Sequence, residues 1–157
     1  MKIRSQSGIT MIEVLVTVLV LAIGLAGVMT METVAIETNH QSYLRTQAIL
    51  QAQEMADRMH ANPNGVTDGD YATAIPSTAP RSCLTNSCST QQMAEFDKWE
   101  WEEGTKKHLP AGAGSISYSS LEQAHTITVS WTEEGSKTSG GTKSFSFVYK
   151  PMPLSLL

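Results

Sequence analysis

The order of apolar and polar positions divides the chain into an apolar run, an amphipathic stretch and a mixed carboxyl-terminal region. Residues 9–31 contain one charged side chain, Glu13, and three threonines among otherwise apolar residues and glycines. As a helix, this run extends about 34 Å, enough to cross a hydrocarbon core of about 30 Å. The pattern therefore predicts a helix that lies in a membrane at some stage.

The residues after this run keep a helical pattern but present a polar face. No Pro or Gly interrupts the chain from residue 32 to residue 61, and Asn62-Pro63-Asn64-Gly65 then stops a helix. Apolar residues recur every three or four positions, which predicts one buried stripe within a single helix over residues 9–61. The stripe consists of Leu44, Ala48, Ala52, Met55 and Met59, and the opposite polar face carries Arg45, Gln53, Asp57 and Arg58.

Residues 62–92 are rich in Pro, Gly, Ser, Thr and Asn, which predicts an ordered or half-ordered loop with one aromatic anchor, Tyr71. Residues 92–101 then predict a short helix that ends at Gly104. Its apolar candidates for burial are Met93, Phe96 and Trp99, or Ala94 and Trp101. The acidic group Glu100, Glu102 and Glu103 is interpreted as a solvated face.

Three later stretches alternate and favour strands: residues 115–118, 125–132 and 144–149. The polar, glycine-rich residues 133–143 predict a hairpin loop between the last two strands. A long helix followed by antiparallel strands predicts an α+β fold in which the sheet packs on the helical stripe.

Charge and motifs exclude several functions. The net charge of -4 and the pI near 5.5 disfavour non-specific nucleic-acid binding. The chain has no Gly-x-Ser-x-Gly turn, no phosphate-binding glycine loop and no His-Glu-x-x-His motif. We therefore expect no enzyme, no cofactor, no metal and no specific nucleic acid. The histidines are interpreted as surface or hydrogen-bonded residues; they are His40, His60, His108 and His125.

The two cysteines, Cys83 and Cys88, enclose four residues within the predicted loop. This short separation fits a disulfide in an oxidising compartment. A metal site would need further ligands nearby, and redox catalysis would favour a two-residue separation. We expect a Cys83–Cys88 disulfide.

The amino-terminal segment has three interpretations. A secretory signal could be cut near Ala22-Ile23-Gly24, but the apolar run is long for one and Glu13 is costly in hydrocarbon. An ordinary membrane anchor explains the length but not the carboxylate. In both anchored interpretations, Lys2 and Arg4 place the amino terminus in the cytoplasm and the remainder in the periplasm or outside the cell.

The third interpretation rests on the order of a basic leader, Gly8, Ile9, Glu13 and an unbroken apolar run. This order resembles the leader of type IV prepilins and of type II secretion pseudopilins. The resemblance implies cleavage between Gly8 and Ile9 by a prepilin peptidase, N-methylation of Ile9, and Glu13 as the fifth mature residue. Two positions depart from the common pattern: Ile9 replaces the usual Phe, and Thr30 replaces a Pro found in many major pilins.

The resemblance suggests a physical reason for a carboxylate at Glu13. Cleavage removes Lys2 and Arg4 and creates a new amine on Ile9. If a neighbouring subunit brings its amine beside Glu13, the two charges are partly neutralised at only one axial stagger. Glu13 would thus set the register of assembly; the alternative is a glutamate that reaches the membrane interface. The small residues Gly24 and Gly27 allow close helix packing or mark a bend.

The rest of the chain also resembles minor type IV pilins, through RTQA, EMADRMHANP, the paired cysteines, FDKW, LPAGAG and ITVSW. The resemblance implies the type IV pilin fold and a structural subunit that helps to prime pilus assembly and supports twitching motility. Its implied partners are other minor and major pilins, the inner-membrane assembly platform and membrane lipid. Alternatives are a type II secretion pseudopilin, or a tip subunit whose residues 62–92 bind a surface or DNA.

The same resemblance implies a division of the chain and a location for it. The regions are a leader (residues 1–8), an assembly half (9–31) and an amphipathic half (32–61) of the helix, and a periplasmic head (62–157). The expected location is the bacterial inner membrane, crossed once, and then the pilus at the cell surface.

Overall fold

The computed structural model describes residues 8–133 and 141–151, and the chain divides into two units, Met1–Gln41 and Ser42–Leu157. A long helix is followed by a short helix, a 3₁₀ turn, a second long helix and three strands. The predicted α+β class is confirmed. The elements are α1 (Met11–Ala61), α2 (Pro63–Thr67), the 3₁₀ turn (Asp70–Ala72), α3 (Thr90–His108), β1 (Ala113–Ser119), β2 (Ala124–Thr132) and β3 (Thr142–Tyr149).

Helix α1 confirms the predicted long helix and its buried stripe. All five apolar positions of the stripe are buried, together with Gln51 and Ala56. The helix ends at Ala61, directly before Asn62-Pro63, as the breaker residues predict. Asn62 then begins α2, because its side-chain oxygen accepts a hydrogen bond from the backbone N–H of Gly65 at 3.4 Å.

Residues 62–92 contain more regular secondary structure than the predicted ordered or half-ordered loop implies. They contain α2, the 3₁₀ turn and the first residues of α3. Gly69 enters the 3₁₀ turn with a φ of 82°, a left-handed conformation that glycine adopts without strain. Tyr71 follows with its side chain fully buried, so the predicted aromatic anchor lies in the core.

Helix α3 is longer than predicted. Ser89 starts it with a capping box: its hydroxyl accepts from the Gln92 N–H at 3.2 Å, and the Gln92 side chain accepts from the Ser89 N–H at 3.1 Å. Gly104 does not end the helix, since a glycine within a helix costs only about 1 kcal/mol and packing on both sides outweighs that cost. The helix continues to His108, and the N–H of Leu109 bonds the carbonyl of Thr105 at 3.0 Å.

The three strands form one antiparallel sheet in the order β1-β2-β3. Each predicted strand is present and is longer than its predicted range. Ile127 is paired with Ile116 on β1 and with Phe147 on β3, so these three side chains share one face. This inward face joins the core that contains the α1 stripe. Of the predicted hairpin loop, residues 134–140 lie outside the described residues.

The outward face of the sheet carries small hydroxyl side chains. The register places Thr128 between Ser115 and Ser146, and its hydroxyl lies 3.0 Å from that of Ser146. The same pattern continues along the three described strands, with no charged side chain at an outward strand position. These positions include Ser115, Ser117, Thr126, Thr128, Ser130, Thr132, Thr142, Ser144, Ser146 and Val148.

Strand β1 meets α3 through a glycine. The ring of Trp101 is fully buried and lies directly against Gly114. On the other side, the indole N–H of Trp101 donates to the backbone carbonyl of Gln51 at 2.8 Å. Trp101 therefore links α1, α3 and β1 within the second unit.

Candidate functional site

The residues of the predicted processing site lie at the start of α1. Gly8 and Ile9 precede the helix and are exposed. The carbonyl of Thr10 accepts the first backbone bonds, from the N–H groups of Glu13 at 3.1 Å and Val14 at 3.3 Å. Glu13 thus stands in the first helical turn, where the helix dipole favours a negative charge. Lys2 and Arg4 lie outside the described residues.

The apolar side chains that follow Glu13 are exposed throughout the first unit. Every large apolar side chain from Ile9 to Ile36 is at least 50% exposed. Helix α1 is long and apolar enough to cross a membrane, and no part of its most apolar stretch is buried inside the protein. A continuous surface of this kind needs a membrane or a partner to cover it.

Thr17 and Thr30 in this segment satisfy their hydroxyl groups within the helix itself. Thr17 donates to the carbonyl of Val14 at 2.8 Å, and Thr30 donates to the carbonyl of Ala26 at 3.0 Å. These internal bonds lower the cost of placing hydroxyl groups in hydrocarbon. The helix runs without interruption through Thr30, the position at which the resemblance to prepilins places a Pro in many major pilins.

Cys83 and Cys88 form a disulfide, with their Cα atoms 5.7 Å apart, in agreement with the sequence prediction. The bond closes an exposed loop whose Leu84 side chain is 77% exposed. It lies just before the Ser89 cap of α3, so it restrains the chain that enters this helix. Both cysteines belong to the second unit, whereas the predicted processing site belongs to the first.

The sequence pattern did not predict a polar cluster that lies between α1 and α3. Arg58 lies on the predicted polar face of α1, yet its guanidinium is only partly exposed and bonds Glu100 at 2.7 Å, Glu54 at 2.8 Å and Asp97 at 3.4 Å. Burial opposes the charged form, but the hydrogen bonds to Glu54 and Glu100 raise the pKa of Arg58. Glu100 therefore belongs to an interhelical ion pair, so its interpretation as part of a solvated face is wrong.

The same cluster holds the segment after α1. Tyr71 donates its hydroxyl to Asp97 at 2.6 Å, while the Asn62 amide donates to the Tyr71 hydroxyl at 3.3 Å and to the carbonyl of Thr90 at 2.8 Å. Burial raises the pKa of Asp97, although Tyr71 and Arg58 favour its charged form. Burial and the neighbouring Asp97 both raise the pKa of Tyr71.

Lys98 fixes the 3₁₀ turn from the neighbouring position. Its side chain is fully buried, and its ammonium donates to the carbonyl of Asp70 at 2.7 Å and to the hydroxyl and carbonyl of Thr73. Burial lowers the pKa of Lys98, while the charges of Glu95 and Asp70 partly oppose this effect. Asp97 and Lys98 together attach residues 62–75 to α3.

Two further side chains differ from their sequence interpretations. The predicted solvated face includes Glu102, but the Glu102 carboxylate accepts a hydrogen bond from the backbone N–H of Gly114 at 2.7 Å and so joins α3 to β1.

His125 is almost fully buried, and its Nδ1 has no hydrogen-bond partner among the described residues. The His125 ring lies between Tyr118 at 4.9 Å and Tyr149 at 6.5 Å, measured between ring centroids. Burial lowers the pKa of His125.

Across residues 8–133 and 141–151, no group of three or more His, Cys, Asp or Glu side chains could hold a metal ion. An open cavity of about 300 Å³ lies beside residues 72–75 and β1. The acidic side chain in its lining, Glu102, is already bonded to Gly114. The arrangement at the start of α1, rather than this cavity, is the candidate functional site.

Two protein-family models match the chain, one across this site and one directly after it. The prokaryotic N-terminal methylation motif matches residues 3–29, which include Gly8, Ile9 and Glu13. The family described as type IV pilin Tt1218 matches residues 30–99, directly after that motif. The chain is thus similar to the type IV pilin Tt1218 family over residues 30–99 and to the methylation motif over residues 3–29. Searches of curated proteins and of solved structures return no match.

The matched family agrees with the architecture of the chain, including its long apolar helix. A long amino-terminal helix followed by a small antiparallel sheet is the type IV pilin fold, so the predicted fold is confirmed. Pilins are structural subunits rather than enzymes. The apolar amino-terminal helix and the matched methylation motif together favour membrane anchoring.

Proposed function

We propose that this chain is a minor type IV pilin similar to PilV, the type IV pilus modification protein. The prepilin peptidase cuts it between Gly8 and Ile9, and the new amine of Ile9 is methylated. Residues 1–8 form the cytoplasmic leader with Lys2 and Arg4. Residues 9–31 serve membrane insertion and assembly, residues 32–61 complete the helix, and residues 62–157 form a periplasmic head.

The lone carboxylate at the start of the exposed apolar helix carries this proposal. Glu13 lies in the first turn of α1, and no other charged residue follows it until Glu32. A carboxylate in hydrocarbon costs about 2.5–3.5 kcal/mol on insertion scales. The amine of a neighbouring Ile9 offsets this cost only when the two helices have one relative stagger, so Glu13 sets the register of assembly.

The partners follow from the same helix. The subunit is held in inner-membrane lipid, contacts the assembly platform, and then packs against other minor and major pilins through its apolar surface. In this role it helps to prime pilus assembly and is incorporated in the fibre, which supports piliation and twitching motility. Gly24 and Gly27 suit close helix packing, because glycine has no Cβ to hold a neighbouring backbone away, and both positions face open space in this chain.

The mature amino terminus tests the processing step. Mass spectrometry of the chain purified from membranes should find a peptide that begins with methylated Ile9. An amino terminus at Met1 or near Leu25 contradicts the prepilin assignment.

A pair of matched variants tests the role of Glu13. Glu13→Ala should still be cleaved at Gly8 but should be lost from sheared pili, because the neighbouring amine has no partner. Glu32→Ala removes a carboxylate from the same helix just after the apolar run and should be incorporated normally. Equal incorporation of both variants removes the proposed function of Glu13.

A further inference from the structure

The two edges of the sheet differ in their protection. At the β1 edge, the Glu102 carboxylate on α3 accepts a hydrogen bond from the backbone N–H of Gly114 at 2.7 Å, and residues 72–75 lie beside the strand at the open cavity. An edge whose donors are already occupied and covered is protected against pairing with another chain. At the β3 edge, no other described strand pairs with the side that faces away from β2. Strand β3 is therefore the edge that is open to another strand.

The bond to Gly114 also identifies the backbone groups on the open edge. Residues of an antiparallel strand alternate between bonding one neighbouring strand and facing away from it. Because the N–H of Gly114 points away from β2, its partner Val129 bonds β3 instead, through Phe145. The alternation then continues along β3. The residues whose N–H and C=O groups face the open edge are Ser144, Ser146 and Val148.

Residues 144–149 contain none of the usual barriers to strand pairing. Their sequence, Ser-Phe-Ser-Phe-Val-Tyr, has no charge and no Pro, and its aromatic and β-branched residues favour strands. The inward side chains Phe145, Phe147 and Tyr149 pack against the core but are only partly buried. A strand added at this edge would cover these rings as well as the open backbone groups.

We propose that a second copy of this chain occupies the open edge, so that two β3 strands pair antiparallel around a twofold axis at Ser146. In this register Ser144 faces Val148 of the other copy, and Ser146 faces its own counterpart. The open backbone groups then bond each other, and the hydroxyl faces and aromatic rows of the two sheets become continuous. The inference concerns the second unit alone and does not depend on cleavage at Gly8 or on assembly into a pilus.

Charge and aromatic pairing favour a second copy in this register. Lys143 lies on the aromatic side of β3 and stands opposite Tyr149 of the other copy, where a cation over an aromatic ring is favourable. Phe145 stands opposite Phe147 of the other copy, an aromatic cross-strand pair. The two lysines lie at opposite ends of the paired strands, about 20 Å apart at about 3.4 Å per residue. An in-register parallel pairing would instead place them side by side.

Single cysteines test the twofold register in the full chain in detergent micelles. Ser146→Cys places a thiol opposite its own counterpart, with Cα atoms about 5.5 Å apart, a separation that a disulfide bridges. Mild oxidation should therefore link most of this variant into dimers. Ser144→Cys, on the same strand, and Ser117→Cys, on the outward face of β1, are the matched controls and should remain largely monomeric. Non-reducing gels measure the dimers, and peptide mapping identifies the linked residues.

Each other result overturns the proposal. Equal dimer yields from Ser146→Cys and Ser117→Cys mean that the chains meet by random collision within the micelle. An equal or higher yield from Ser144→Cys means that the strands do not pair around Ser146. No dimer from any of the three variants means that no second copy occupies the edge.

A charge at the twofold axis tests the pairing without a covalent link. Ser146→Lys brings two ammonium groups opposite each other and should raise the dissociation constant of the dimer on the order of tenfold. Ser146 is exposed, so the folded chain should keep its midpoint of urea unfolding. Ser117→Lys adds the same charge to the exposed outward face of β1 and should leave the dissociation constant unchanged. Sedimentation velocity in density-matched detergent measures both variants; an unchanged constant for Ser146→Lys, or an equal rise for Ser117→Lys, overturns the proposal.

Discussion

Replacing Gly114 with Ala tests the contact between β1 and α3. A Cβ atom at this position would lie well inside the van der Waals contact distance of two ring carbons of Trp101, and 3.1 Å from the Glu102 carboxylate. Carbon atoms in contact normally lie about 3.5–4.0 Å apart. The strand or the indole ring must therefore move by more than about 1 Å to restore that spacing.

The indole ring has little freedom to move. Trp101 is fully buried, and its N–H bond to the Gln51 carbonyl is 2.8 Å long. Overpacking a core costs about 1–3 kcal/mol, and loss of this hydrogen bond adds about 1 kcal/mol. We expect Gly114→Ala to lower the free energy of unfolding by about 3 kcal/mol, a large part of the roughly 5–15 kcal/mol typical of a domain.

Gly104→Ala is the matched control. Its Cβ would meet only the Gln51 side-chain oxygen, at an ordinary 3.5 Å, within the interior of α3. Because alanine favours helix over glycine, this variant should gain up to about 1 kcal/mol. Urea unfolding of the full chain in detergent, followed by circular dichroism, measures both. An unchanged midpoint for Gly114→Ala, or an equal loss for Gly104→Ala, would refute the reasoning.

Three further outcomes are expected. Arg58→Met should lower the free energy of unfolding by about 2 kcal/mol, because it leaves the carboxylates of Asp97 and Glu100 without their cationic partner. The double variant Arg58→Met with Asp97→Asn should recover part of that loss, as measured by urea unfolding. Burial lowers the pKa of His125, so the stability that its neutral ring contributes is present above pH 6.5 and is lost as the pH falls through the folded pKa. His125→Phe should therefore flatten the dependence of the free energy of unfolding on pH between about pH 7 and 5. An unchanged slope in this range would show that His125 is not its source. Replacing both Cys83 and Cys88 with Ser should cost about 2 kcal/mol at most, and the thermal midpoint without reductant checks it.

The sequence predicted which helices and strands are present better than it predicted the residues at which they begin and end. The α1 stripe could be identified because burial recurs at helical spacing, and the strands because alternation fits a sheet with one buried face. The length of α3 could not be predicted, because the local cost of Gly104 is outweighed by packing of Trp101 and Thr105, which depends on residues of α1 about 50 positions away.

The polar cluster was beyond sequence reasoning for the same reason. Arg58 and Asp97 are 39 residues apart, and each alone has the pattern of a surface charge. Asp97 and Lys98 follow Phe96 in the sequence, and nothing local indicates that they are buried. Their burial is explained by Tyr71, which bonds Asp97, and by the 3₁₀ turn, which bonds Lys98. The residues at the start of α1 were different, because their spacing is local and could be read directly from the sequence.

The hydroxyl face of the sheet has a consequence for the medium that surrounds it. No ionisable group stands at the outward positions of the described strands, so neither acidification nor added salt changes the charge of this face. The hydroxyl face therefore presents the same hydrogen-bond donors and acceptors at low and high salt concentration and at acidic and neutral pH. A contact made through this face alone should thus depend little on ionic strength.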